Sequence, residues 1–85
     1  MTDLSFQERT LKDIQKLEKA LLEFSQDAQL KTQYKDVLDW ATNYFNDSKH
    51  FYEQKDYFTS FGAANYAYGM LDAILIAEKK KKDEC

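Results

Sequence analysis

Residues 61–74 read FGAANYAYGMLDAI. The stretch is long enough for four turns of helix and apolar nearly all round. It also carries both glycines of the chain, together with Asn65 and Asp72. A surface helix normally has one apolar stripe and one polar face; a helix that lacks the polar face is buried on more than one side. The run continues in both directions, so the spacing predicts a third helix over residues 57–80. In a three-helix bundle each helix touches two others. Further burial of this one calls for a partner chain or a ligand.

Working back along the chain, "QKD" at residues 54–56 is a break. Asp56 is placed to cap the following helix by accepting bonds from free backbone N–H groups. Before it, Tyr34, Val37, Leu38, Ala41, Tyr44, Phe45, Ser48, Phe51 and Tyr52 form the inward stripe of a second helix over residues 32–54. A first helix is predicted over 5–28. Ser5 with Glu8 reads as a capping box, and Leu11, Ile14, Leu17, Leu21, Phe24 and Ala28 step by three or four residues along one face. Ser25, Gln26 and Asp27 favour a turn at its end.

The predicted fold is therefore all-α, one domain over residues 1–85. It is an antiparallel three-helix bundle in which helices two and three form a long hairpin, with 81–85 a frayed, charged tail. Composition agrees. The chain has 85 residues, no proline and two glycines, which suits long helices and not a turn-rich β fold. Hydrophobic content of 44% with 32% charged residues is globular. A chain this short buries only roughly 60–65% of its unfolded surface, so its margin of stability is thin.

Charge and cysteine content exclude several classes. A net charge of −3 argues against a general nucleic-acid binder. Cys85 is the single cysteine, so neither an internal disulfide nor a cysteine-based zinc site is possible, which fits a cytoplasmic location. The opening "MTDLSFQERT" lacks the layout of a signal peptide. Residues 57–77 approach the length of a membrane span, but Asp72 near the centre would cost about 3 kcal/mol on insertion. No membrane is expected.

Folding helices two and three back about Lys55 and Asp56 sets Phe51 against Phe61, Ser48 against Ala64 or Asn65, Tyr44 against Tyr68 and Ala41 near Gly69 or Asp72. Phe58, Phe61, Asn65, Tyr68, Asp72 and Ile76 share one face. Gly62, Tyr66, Gly69 and Ala73 form the adjacent one. The candidate polar cluster is thus Tyr44, Ser48, Asn65, Tyr68 and Asp72. It is read first as a hydrogen-bonded network that fixes helix register, since unpartnered buried amides and carboxylates are costly. A small-ligand site is the alternative.

The stretch YFNDSKHFYEQKDYFTSFGAANYAYGMLDA, residues 44–73, resembles the signature of an archaeal family known as domain of unknown function 357. The matching positions are Tyr44, Phe45, Asp47, Ser48, Lys49, Phe51, Asp56, Tyr66, Ala67, Gly69, Leu71, Asp72 and Ala73. The resemblance implies a small all-helical cytoplasmic protein with no assigned activity. Two positions depart from the pattern: Lys55 stands where the family has glycine in the turn, and Tyr68 where many members have histidine.

Catalytic signals are lacking. His50 shares a face with Asp47 and Glu53, but one imidazole is too few for a histidine metal site, and no metal or cofactor is expected. The single arginine, Arg9, lies on a different helix from His50. No nucleophile–base pair or phosphate-binding glycine loop is present. The lysines of "EKKKKDEC" suit a helix C-terminus. The leading expectation is a non-enzymatic module for self-association or protein partners, with Trp40, Tyr52, Tyr57 and Tyr66 as candidate interface aromatics. An accessory role in an RNA or ribosomal complex, through the lysine tail, is the alternative to it.

Overall fold

The structure, a computed structural model, describes residues 3–80. The described chain is all-α, with no strand, and has four helices rather than three: α1 Asp3–Gln26, α2 Ala28–Gln33, α3 Lys35–Glu53 and α4 Tyr57–Ala77. Each of the three long helices touches the other two, and α4 packs more extensively against α1 and α3 than they do against each other.

Helix α1 runs back to Asp3, so Ser5 lies inside it and the expected capping box does not begin it. Its buried face is Thr10, Ile14, Leu17, Ala20, Leu21 and Phe24, with Leu17 and Phe24 fully enclosed. Leu11, expected inside, is exposed; Thr10 takes its place one position earlier and satisfies its hydroxyl on the Phe6 carbonyl at 2.8 Å. A hydroxyl that bonds its own preceding turn can be buried without an external partner.

The turn expected around residues 25–27 is real, and Asp27 makes it. Its Oδ1 accepts from the N–H groups of Gln29 at 3.0 Å and Leu30 at 3.1 Å, capping the short helix α2. Of its residues only Thr32 and Gln33 were expected in the second helix; Ala28 was expected to close the first, and 29–31 to lie between the two. A kink at Tyr34 separates α2 from α3, and α2 buries Leu30 completely. Lys80, beyond the end of α4, sits 3.4 Å from Asp27 Oδ2, and Tyr34 donates its hydroxyl to Glu78 Oε2 at 2.5 Å. These two contacts fasten the end of α4 to the α1–α2–α3 corner.

Helices α3 and α4 close in the same way. The Asp56 N–H bonds the Phe51 carbonyl at 2.9 Å and the Lys55 N–H the Tyr52 carbonyl at 3.0 Å. The Lys80 N–H bonds Leu75 at 2.8 Å and the Lys79 N–H Ile76 at 3.0 Å. Both are Schellman closures, and they place Lys55 at φ 66° and Lys79 at φ 59°. Helix α4 therefore ends at Ala77, three residues before the expected Lys80. Asp56 caps α4 as expected, accepting from the Thr59 N–H at 3.2 Å. The charged tail at 81–85 lies outside the described residues.

The seam between α3 and α4 is built of small residues. Ala41 and Ser48 on α3, and Ser60, Ala64 and Ala67 on α4, are all fully buried. Ser60 donates to the Ser48 backbone carbonyl across the seam at 2.6 Å, an approach that larger side chains would block.

Candidate functional site

Helix α4 has three working sides: one against α1, one against α3 and one outward. The row Phe61, Asn65, Tyr68 and Asp72 faces α1. Asn65 Nδ2 donates to Asp13 Oδ2 at 2.9 Å and to the Phe61 carbonyl at 3.0 Å. Lys16 stands over the Tyr68 ring at 4.4 Å and approaches Asp13 Oδ1 at 4.0 Å. Phe61 meets Phe6 with centroids 5.3 Å apart, under the Arg9 guanidinium at 5.8 Å. Lys16, Lys19, Ala20, Glu23, Tyr68, Asp72 and Leu75 line a cleft of about 210 Å3. That is smaller than the roughly 300–1,000 Å3 of ordinary small-molecule pockets.

This corrects the expected pairing across α3 and α4. The residues foreseen as one polar cluster are split between two seams. Asn65, Tyr68 and Asp72 do share a row, but the row meets α1. Ser48 is sealed against Ser60 and bonds the Phe45 carbonyl at 2.8 Å. Tyr44 meets Tyr66 rather than Tyr68, at 5.4 Å. Ser60, Ala64 and Ala67 are buried, with Ser60 bonded directly to α3, whereas the longer side chains of Asn65 and Tyr68 lie against Asp13 and Lys16 of α1.

On the α3 side, Trp40, Tyr44 and Tyr66 form a triad. Trp40 lies 4.3 Å from Tyr44 and 5.0 Å from Tyr66, the latter edge-on. Tyr52 and Tyr57 pair at 5.2 Å at the hairpin end, where Gln7 Nε2 reaches the Tyr52 hydroxyl at 3.4 Å. The four candidate interface aromatics thus fall into two groups, Trp40 with Tyr66 and Tyr52 with Tyr57. His50 is exposed on α3 with its ring against Phe51 at 5.6 Å.

The outward side was only partly foreseen. Phe58, Gly62, Tyr66, Gly69, Ala73 and Ile76 follow one another at intervals of three or four residues and are all exposed, Phe58 at 82% and Tyr66 at 55%. No charged residue falls among them. Both glycines have ordinary helical φ, and a Cβ built on either would meet nothing within 4 Å. The signal was in the sequence: Asp72 is the only charge between Tyr57 and Ala77. Once it is assigned to the α1 side, the rest of the helix surface is uncharged. Among the described residues no helix is long and apolar enough to cross a membrane.

Together these features define a small all-helical protein with one helix face that carries no charge. The chain belongs to the family described as Protein of unknown function (DUF357), whose profile matches residues 12–79. The match extends well beyond the stretch from Tyr44 to Ala73 that carries the resemblance. No curated protein and no solved structure matches the chain.

Proposed function

We propose that this protein is a non-enzymatic protein–protein interaction module whose docking surface is the outward face of α4. The frame is an antiparallel three-helix bundle with α3 and α4 as its long hairpin; α2 is a corner piece. The observation that carries the reading is the uncharged row of Phe58, Gly62, Tyr66, Gly69, Ala73 and Ile76, exposed along the whole of a helix. Contiguous apolar surface of this kind marks interaction sites in proteins that fold alone. Glycine within a helix costs roughly 0.5–1 kcal/mol relative to alanine. Neither Gly62 nor Gly69 recovers that cost inside the monomer, where a side chain would fit freely. Close approach by another helix recovers it. The Trp40–Tyr44–Tyr66 triad borders the face and supplies the aromatic anchors that dominate interface energetics.

The test is association of the purified protein, with itself and with lysate proteins after nuclease treatment, comparing wild type with Tyr66→Lys and Leu22→Lys. Leu22 is exposed on α1, away from this face. Association lost in Tyr66→Lys and kept in Leu22→Lys is the expected result. Loss in neither, or a catch that disappears with nuclease, overturns the reading.

A further inference from the structure

We propose that the occupant of the α4 face is a second copy of this chain, docked antiparallel about a two-fold axis that runs between the two α4 helices at the level between Ala67 and Tyr68. The inference rests on the reading of that face as the docking surface and goes on to name the partner.

The face is self-complementary. Two antiparallel copies of α4 centred between Ala67 and Tyr68 bring residues whose numbers mirror one another to the same level. Tyr66 then lies level with the partner's Gly69, Phe58 with the partner's Ala77, Gly62 with the partner's Ala73 and Thr59 with the partner's Ile76. All eight positions are exposed in the single chain. Each of the two rings meets a residue with little or no side chain, and the two small residues between them let the helix backbones approach. A two-fold interface requires this property, the same patch serving both subunits.

A parallel pair does not have it. There Phe58, Tyr66 and Ile76 each meet their own copy and hold apart helices that Gly62 and Gly69 would otherwise let close. Charge offers no obstacle to the antiparallel pair, because the face has none. The macrodipoles of antiparallel helices are also mutually favourable. The 21-residue helix is about 31 Å long. One helix face of that length is less than the roughly 800 Å2 per partner of a standard interface. The dimer is therefore concentration-dependent rather than obligate.

Two measurements on the full chain test the proposal. Sedimentation equilibrium up to about 1 mM is run on wild type and Gly69→Ala, with thermal unfolding at low concentration. A new Cβ at position 69 meets nothing in the monomer, so the variant's midpoint rises while its dimerisation weakens at least tenfold. In a Cys85→Ser background, Gly62→Cys and Ala73→Cys chains are then treated with a short bismaleimide, separately and mixed. The antiparallel pair predicts covalent dimers in the mixture and almost none in either variant alone. Dimers from Gly62→Cys alone mean a parallel pair and overturn the arrangement. A wild type that stays monomeric overturns the second copy as occupant. If it still captures a different protein in a manner sensitive to Tyr66→Lys, the docking reading survives that failure; if it captures nothing, both fall together.

Discussion

The Ser60 hydroxyl donates to the backbone carbonyl of Ser48 at 2.6 Å, and both serines are fully buried between α3 and α4. This bond records how closely the two helices approach. Ser60→Ala removes the donor while keeping the space, and is expected to cost about 1 kcal/mol. Ser60→Val removes the donor and forces two methyl groups into the seam, adding a further 1–3 kcal/mol or so of overpacking. Urea unfolding midpoints at unchanged slope measure both. Equal costs for alanine and valine would mean that the seam has room, contrary to the packing described.

Lys55 and Lys79 both hold left-handed backbone conformations at helix ends, at φ 66° and 59°. That region costs an L-residue roughly 1–2 kcal/mol and glycine almost nothing, partly offset by glycine's greater freedom when unfolded. Lys55→Gly is expected to stabilise by about 1 kcal/mol net, raising the midpoint by about 4–8 °C in a domain of this size. Lys55→Ala lacks that relief and should leave the midpoint unchanged or lower it. A drop with glycine would show that the lysine side chain contributes more than its backbone costs.

The corner where the residues after α4 meet the caps of α2 titrates at both ends of the pH scale. The Asp27 carboxyl is held below its ordinary value of 3.8, above all by the Leu30 N–H, with Lys80 and the Gln29 N–H adding to this and partial desolvation opposing it. A lowered folded pKa contributes stability that is present above 3.8 and lost as pH falls through the folded value. The Tyr34 hydroxyl is raised above 10.0, chiefly by its hydrogen bond to Glu78 and then by desolvation. Its contribution is present below 10.0 and lost as pH rises through the folded value. Asp27→Asn, which keeps a capping oxygen, should flatten the acid limb of the stability profile. Tyr34→Phe should flatten the alkaline limb. Thermal midpoints across pH 2–12 would check this, and an unchanged limb in either variant would break the assignment.

Much of the fold was legible because the strongest sequence signals are local. The periodic stripes located the three long helices, and Asp56 was correctly read as a cap because capping involves only the next few residues. Lys55 was flagged through the resemblance as standing where glycine is usual, and its φ is positive. Helix α2 was not legible. Its six residues bury only Leu30, too few to show a period, and its stability comes from Asp27 and from contacts across the chain. The row Asn65–Tyr68–Asp72 was legible as a row, whereas the helix it faces was not. That choice depends on which seam takes the small residues Ser60, Ala64 and Ala67, a tertiary matter no single-helix pattern encodes.

The contact between Asn65 and Asp13 gives that row its sharpest test. Asn65 is an amide donor 2.9 Å from a carboxylate on α1, in half-buried surroundings. Asn65→Ala should cost about 1.5–3 kcal/mol, the usual worth of a hydrogen bond to a charged group. Asn65→Asp should cost more at neutral pH, because two carboxylates would then face each other at hydrogen-bonding distance. Acidification should reduce that excess, since a proton shared between the pair restores a donor. Exchanging the two residues, Asp13→Asn with Asn65→Asp, returns one amide and one carboxylate to the seam, although Lys16 then loses its nearby carboxylate. The double variant should therefore recover most of the loss measured for Asn65→Asp alone. Purely additive costs in this cycle would mean that the two side chains do not interact, and that α4 does not turn its polar row toward α1.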